Sequence, residues 1–396
     1  MWRFVGPYSE YLNRHWTAPD LDAERKRQLK RISSLRGRDV LVIASDLTKN
    51  VPNVSTSLDY SDILPVQDQL SVLGGKEIDV ILETPGGLAE VAEDIVRLIR
   101  AKYDRVGMIV PGWAKSAGTI LAMAGDEILM GTSSALGPID PQIGFTTGKR
   151  FSADAFLEGL TKIKDEVQLT GKLNPAYIPI LQNISPGEIQ NCINARLFSQ
   201  ELVREWLVKF KFKFWEKHST TGKDVTLTEK RERAAEIAEA LCNHSKWLTH
   251  NRSIRKEDLE GLRLKITDYS ANAELNDAIT RYYTLLKMTF DLVNVYKIFE
   301  TPETQVLRLL AQIAVPQMVP QSPQGLKTAQ VDYKCAHCQH PMKIQINLGK
   351  HTPLAPGFMA YPIATNVVKC PRCGRDNNLL PIRLQVEAQS GKKVVQ

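Results

Sequence analysis

The stretch Val80-Ile81-Leu82-Glu83-Thr84-Pro85-Gly86-Gly87-Leu88-Ala89 decides the fold of this 396-residue chain. A short apolar run stops at a Pro-Gly-Gly turn, and an amphipathic run from Ala89 to Lys102 starts directly after it. The same order of strand, turn and helix recurs on both sides. Upstream, Val40-Leu41-Val42-Ile43-Ala44 precedes a helical pattern near Asp62 to Leu73. Downstream, Val106-Gly107-Met108-Ile109-Val110 leads through Lys115-Ser116-Ala117-Gly118-Thr119 into a short apolar helix. Strand and helix periods taking turns predict an α/β core.

Two of these turns carry chemistry. A strand-to-helix turn presents unpaired backbone N–H groups, and tandem glycines let a carbonyl approach the backbone where no Cβ stands in the way. Gly86, Gly87 and Ala117 are therefore candidate oxyanion-hole donors, and Ser116 is a candidate nucleophile for acyl transfer. Taken singly, Gly86-Gly87 reads as an ordinary turn and Ser116 as a helix N-cap. Their joint spacing favours a site.

That spacing, with Gly125-Asp126-Glu127-Ile128 and Leu136-Gly137-Pro138-Ile139-Asp140-Pro141-Gln142 following, resembles the serine dehydrogenase proteinase family of the Clp-protease/crotonase clan, which is related to signal-peptide peptidases. The resemblance is strong from about Asp39 to Gln142, weaker to about Glu300, and absent from the cysteine-rich tail. It implies a spiral of strand-strand-helix units, a homo-oligomer and a peptide or protein substrate. On this reading the chain divides into an N-terminal arm (1–37), a Clp/crotonase-like serine peptidase core (38–184), a helical region (185–310), a Pro/Gln-rich linker (311–330) and a zinc ribbon (331–390).

The general base is left open by the residues. The seven histidines fall at 15, 218, 244, 250, 337, 340 and 351, so none lies in the core between Asp39 and Gln200. The histidine that Clp proteases carry about 25 residues past the serine is missing. By the resemblance to the membrane-protein-cleaving peptidases, Lys149 is one substitute, provided that its amine is dry enough to be neutral. His250, oriented by Asp140 as in a distributed triad, is the other. Lys115 adjoins the serine, but neighbouring side chains at a helix start point apart.

The tail has a different character. From Thr301 onward there are 11 Lys/Arg and 4 Asp/Glu, which accounts for the whole formal charge of +7. Cys335, Cys338, Cys370 and Cys373 form two C-x-x-C pairs, a pattern that predicts a structural zinc ribbon in a non-exported chain. A basic ribbon also suits a nucleic-acid or acidic protein partner. Lys209-Phe-Lys-Phe-Lys-Phe-Trp215 could be a nucleic-acid platform, yet Leu202, Trp206, Phe210 and Phe214 recur every four residues, which predicts one buried helix face with Phe212 off it.

No secretory leader or run of about 20 apolar residues is seen, so a cytoplasmic protein without a membrane span is expected. No Walker-type phosphate loop is present, so hydrolysis would be independent of ATP. The leading expectation is a serine peptidase. The alternatives are a catalytically silent scaffold whose zinc ribbon recruits nucleic acid or protein, and a crotonase-like acyl-thioester enzyme, against which Ser116 counts.

Overall fold

Alternate residues of the central strands face opposite ways, and each face of the sheet has its own core. The computed structural model describes residues 6–49, 51, 54–144, 150–310 and 327–395. The chain separates into two compact units, Met1–Leu310 and Ala311–Gln396. In the first, strands β1 (Asp39–Ser45), β2 (Glu77–Glu83), β3 (Arg105–Val110), β4 (Glu127–Met130), β5 (Thr267–Asp268), β6 (Val295–Glu300) and β7 (Gln305–Leu309) form one sheet in the order β7-β6-β1-β2-β3-β4-β5. β1 to β5 run parallel, while β6 is antiparallel to both β1 and β7.

Register turns the sequence pattern into two layers. Leu41, Val80, Met108 and Ile128 lie in one cross-strand row. They pack against the helices Ile63–Ser71, Ala89–Lys102 and Ala117–Met123. Val42, Ile81, Ile109 and Leu129 form the adjacent row and face the helices Ala18–Arg36 and Ala273–Leu292. Strands buried on both faces read as continuous apolar runs, which is how a covered parallel sheet is written.

A second, smaller ladder crosses the strand ends. Leu58 bridges Gly87, Thr84 bridges Ala114, Trp113–Ala114 pairs with Ala135–Leu136, and Leu136 bridges Ile254. Each successive unit thus contributes a long strand, a short second one and then its helix. The mixed α/β architecture, with a helical region and a C-terminal cysteine cluster, is as expected.

Four expectations are corrected. The N-terminal arm is part of the core: Leu29 and Ile32 are buried in the second layer, and buried Arg25 pairs with Glu300 at 3.1 Å. The region expected to be helical (185–310) is not helical throughout: its last helix stops at Leu292, and the Val295–Glu300 run, β-branched and aromatic, joins the sheet edge as β6. In the aromatic-basic stretch, a π-turn over Leu207–Lys211 inserts an extra residue into the helical register. Phe212 is therefore buried and Phe214 is 53% exposed, the reverse of the four-residue pattern. Of the expected linker, 311–326 lies outside the described residues, and 328–330 already belongs to the strand Thr328–Lys334.

Candidate active site

The two chemistry-bearing turns meet. Thr84 N–H donates to Trp113 O at 2.8 Å and Lys115 N–H to Thr84 O at 3.0 Å, so the end of β2 is laced to the segment before Ser116. Gly86 sits against the serine itself. A Cβ at Gly86 would lie 2.6 Å from Ser116 Cβ and 2.8 Å from Lys115 O, and its φ of 107° is a second reason for glycine there.

Ser116 is half-buried with φ 48° and ψ −116°, a conformation that a side chain adopts only under constraint from its surroundings. It stands at the N-cap of Ala117–Met123, yet its side chain makes no capping bond. Among the described residues its Oγ has no hydrogen-bond partner. A serine serving only as a cap would spend its oxygen on the helix.

The N–H groups around it sort themselves. Gly86 N–H is engaged by Thr84 Oγ1 at 3.1 Å, which withdraws it from the donor set. Gly87, which is exposed, and Ala117 have backbone N–H groups that bond to no acceptor among the described residues. Among the described residues, the two turns thus offer two N–H donors and one hydroxyl without partners.

Asp140 is fully buried and carries two imidazoles. His250 Nδ1 donates to Oδ1 at 2.7 Å and His244 Nδ1 to Oδ2 at 2.9 Å. Burial alone would raise the Asp140 carboxyl, but the His250 bond and charge, with the His244 bond and the Ser152 side chain, outweigh it and hold the group below its ordinary range. A carboxylate only accepts, so in the neutral ring Nδ1 of His250 keeps the proton and Nε2 is left with the lone pair. That Nε2 has no partner among the described residues.

The loop carrying His250 is tied to the serine segment. Leu136 and Ile254 exchange N–H···O bonds at 3.0 Å. Lys115 Nζ donates to Leu136 O at 3.0 Å, Arg252 O at 3.1 Å and Ser253 Oγ at 3.1 Å. Burial, with Arg255 adding, lowers the Lys115 ammonium to about 8. Its three acceptors make it a strut between the two segments. Lys149 lies outside the described residues. His244 was not singled out from sequence, because nothing local distinguishes it from the other histidines.

With that geometry in place, similarity to known proteins can be weighed. Residues 66–173, which contain both turns, Ser116 and Asp140, match a ClpP-like SDH-type serine proteinase family. This stretch is a ClpP-like SDH-type serine proteinase domain. Two uncharacterized proteins of Methanocaldococcus jannaschii are similar to the chain. MJ0137 is 34% identical over 108 residues, 27% of this chain and 38% of the relative. MJ1495 is 38% identical over 93 residues, 22% of this chain and 30% of the relative. The chain thus spans only 38% of the length of the first relative and 30% of the second. Two mutants of the 1510-N membrane-bound stomatin-specific protease align more loosely. One covers 45% of this chain and 72% of its own, at 16% identity and a TM-score of 0.26. The other, in complex with a substrate peptide, covers 44% and 66%, at 19% identity and a TM-score of 0.24.

Outside the proteinase domain, the second unit gathers Cys335, Cys338, Cys370 and Cys373 with all four Sγ atoms within 4.8 Å of one another. Each pair sits on a tight knuckle. Gln339 N–H donates to Cys335 O at 3.0 Å and Gly374 N–H to Cys370 O at 2.9 Å, and both Gln339 and Gly374 have positive φ. Cys335 Sγ is 3.7 Å from Cys373 Sγ, and Cys338 Sγ is 3.6 Å from Cys370 Sγ. Four thiolates about 2.3 Å from a central ion in tetrahedral geometry would stand about 3.8 Å apart, so the cluster fits a metal of that preference. No helix among the described residues is long and apolar enough to cross a membrane.

Proposed function

We propose that this chain is a serine peptidase that hydrolyses peptide bonds without ATP. Ser116 attacks the scissile carbonyl, the Gly87 and Ala117 N–H groups hold the resulting oxyanion, and water later releases the acyl-enzyme. The observation that carries the reading is the uncapped Ser116, held at φ 48° against Gly86, with the Gly87 and Ala117 N–H groups bonded to no acceptor among the described residues. The serine proteinase family of residues 66–173 supports it.

The base in this proposal is His250, oriented by Asp140. Its support is the 2.7 Å bond, which leaves Nε2 as the basic nitrogen. The Nε2–Oγ contact is made as substrate binds, since catalytic hydrogen bonds commonly tighten only in the occupied complex. A Ser116–Lys149 pair is the competing arrangement. The four cysteines are assigned to a structural zinc ion.

A fluorophosphonate probe tests the nucleophile. The wild type should label stoichiometrically and Ser116→Ala not at all; equal labelling of both would overturn the assignment. The base is tested by comparing His250→Ala with Lys149→Ala. Loss of hydrolysis in the first and retention in the second is expected, and the opposite result would select the lysine.

A further inference from the structure

Glu83 is the last residue of β2, directly before Thr84-Pro85-Gly86-Gly87, and it is fully buried. A carboxylate without water needs partners, and Glu83 finds them on two other elements. Oε2 accepts Trp113 N–H at 2.7 Å and Oε1 accepts the Tyr283 hydroxyl at 3.0 Å. Lys287 Nζ lies 3.7 Å from Oε1, and that ammonium is itself buried with no hydrogen-bond partner among the described residues. Tyr283 and Lys287 are one turn apart on the helix Ala273–Leu292, so they back the carboxylate from the layer opposite Ser116's own helix.

The surroundings are shaped around this contact. A Cβ at Gly112 would fall 2.6 Å from Glu83 Oε2 and 2.5 Å from Tyr283 Cζ, so the pair fills the space that a side chain would need. Trp113 is gripped at both of its main-chain polar atoms: its N–H by the Glu83 carboxylate and its carbonyl by Thr84 N–H. Three residues later stands Ser116 in a conformation that persists only where the neighbouring structure over-determines it.

We propose that Glu83 is a positioning residue that holds the Ser116 turn in register with the Gly87 turn, braced by Tyr283 and Lys287. Losing the acceptor leaves the Trp113 N–H unpaired, and the strain at Ser116 can then relax. Its effect on rate rests on the peptidase reading. The clamp itself can be measured without it.

The experiment compares full-length wild type, Glu83→Ala, Glu83→Gln and Tyr283→Phe by amide hydrogen exchange across residues 111–118 and by peptide hydrolysis. Glu83→Ala should speed exchange there about tenfold or more, the order expected when a hydrogen bond to a charged acceptor is lost. Its kcat should fall by a similar factor with KM within about twofold, because the substrate's binding surface is untouched. Glu83→Gln should recover most of both, since its amide carbonyl still accepts from Trp113 and its NH2 faces the Tyr283 oxygen. If Glu83→Ala does not fold, Tyr283→Phe reads the same clamp through a smaller acceleration of exchange. Unchanged exchange in these variants would overturn the clamp, and faster exchange with unchanged kcat would overturn the positioning role. A wild type that fails to label at Ser116 would reject the peptidase reading alone, with exchange still deciding the clamp.

Discussion

Asp140 and His250 are 110 residues apart in sequence, and only the folded chain joins them. Ser116, the glycines and the cysteines were legible because each has a local signature: a turn chemistry, a helix start or a two-residue gap. The Asp140–His250 pair has none, so the sequence offered it only as one of two arrangements beside Lys149. Asp140→Asn presents an amide that can donate where a carboxylate only accepts, favouring the wrong tautomer of His250. It should lower kcat by about 10² to 10⁴ with little change in KM. Steady-state kinetics check this, and an unaltered kcat would remove Asp140 from the mechanism. Glu83 makes a pH argument of the opposite sign. Burial raises its carboxyl from 4.5 to about 7, against the pull of Trp113 N–H, Lys287 and Tyr283. Tyr282 also feels its charge, and Asp46, just past the end of β1, interacts with the charge of Lys287. A carboxyl with a folded pKa above its unfolded one binds protons more tightly when folded. As pH falls from about 7 to 4.5, wild type should therefore gain stability relative to Glu83→Gln. Urea titrations of both proteins across this range test the linkage, and a stability gap independent of pH would refute it.

At the scale of elements, patterns of three to five apolar residues were readable for β1, β2, β3 and the helices between them, because regular periods state which face is buried. Irregularity is what the pattern hides. The π-turn at Leu207–Lys211 shifts the register by one residue, and no residue in Leu-Val-Lys-Phe-Lys announces it. The antiparallel edge of β6 and β7 was masked in the same way, since Val295–Phe299 continues an amphipathic run with no intervening glycine or proline. The consequence for the π-turn is measurable. Phe212, 6% exposed and with its ring centroid 5.4 Å from that of Trp215, should cost about 3–5 kcal/mol on truncation to alanine. Phe214, whose ring is exposed and lies under the Arg105 guanidinium, should cost less than about 1 kcal/mol. Denaturant unfolding of the two variants decides it, and equal costs would mean that the helix runs through without the extra residue.

At the scale of the whole molecule, the two units draw their stability from different sources. The first buries two apolar layers on a seven-stranded sheet. The second packs a much smaller cluster that includes Ile344, Ile346, Leu348 and two of the four cysteines, Cys335 and Cys370. A unit of this size is at the margin of what its core alone can hold, and ion binding then becomes folding free energy. A strong chelator, or Cys370→Ser, should therefore abolish a cooperative transition belonging to 327–395 and release one equivalent of zinc. The transition of residues 6–310 and probe labelling at Ser116 should be unchanged, because neither the sheet nor the Ser116 turn contains a metal ligand. Calorimetry with metal analysis reads both outcomes together. A second unit that still melts cooperatively without metal would assign its stability to the apolar cluster, and loss of labelling on chelation would mean that the ion supports the peptidase site as well.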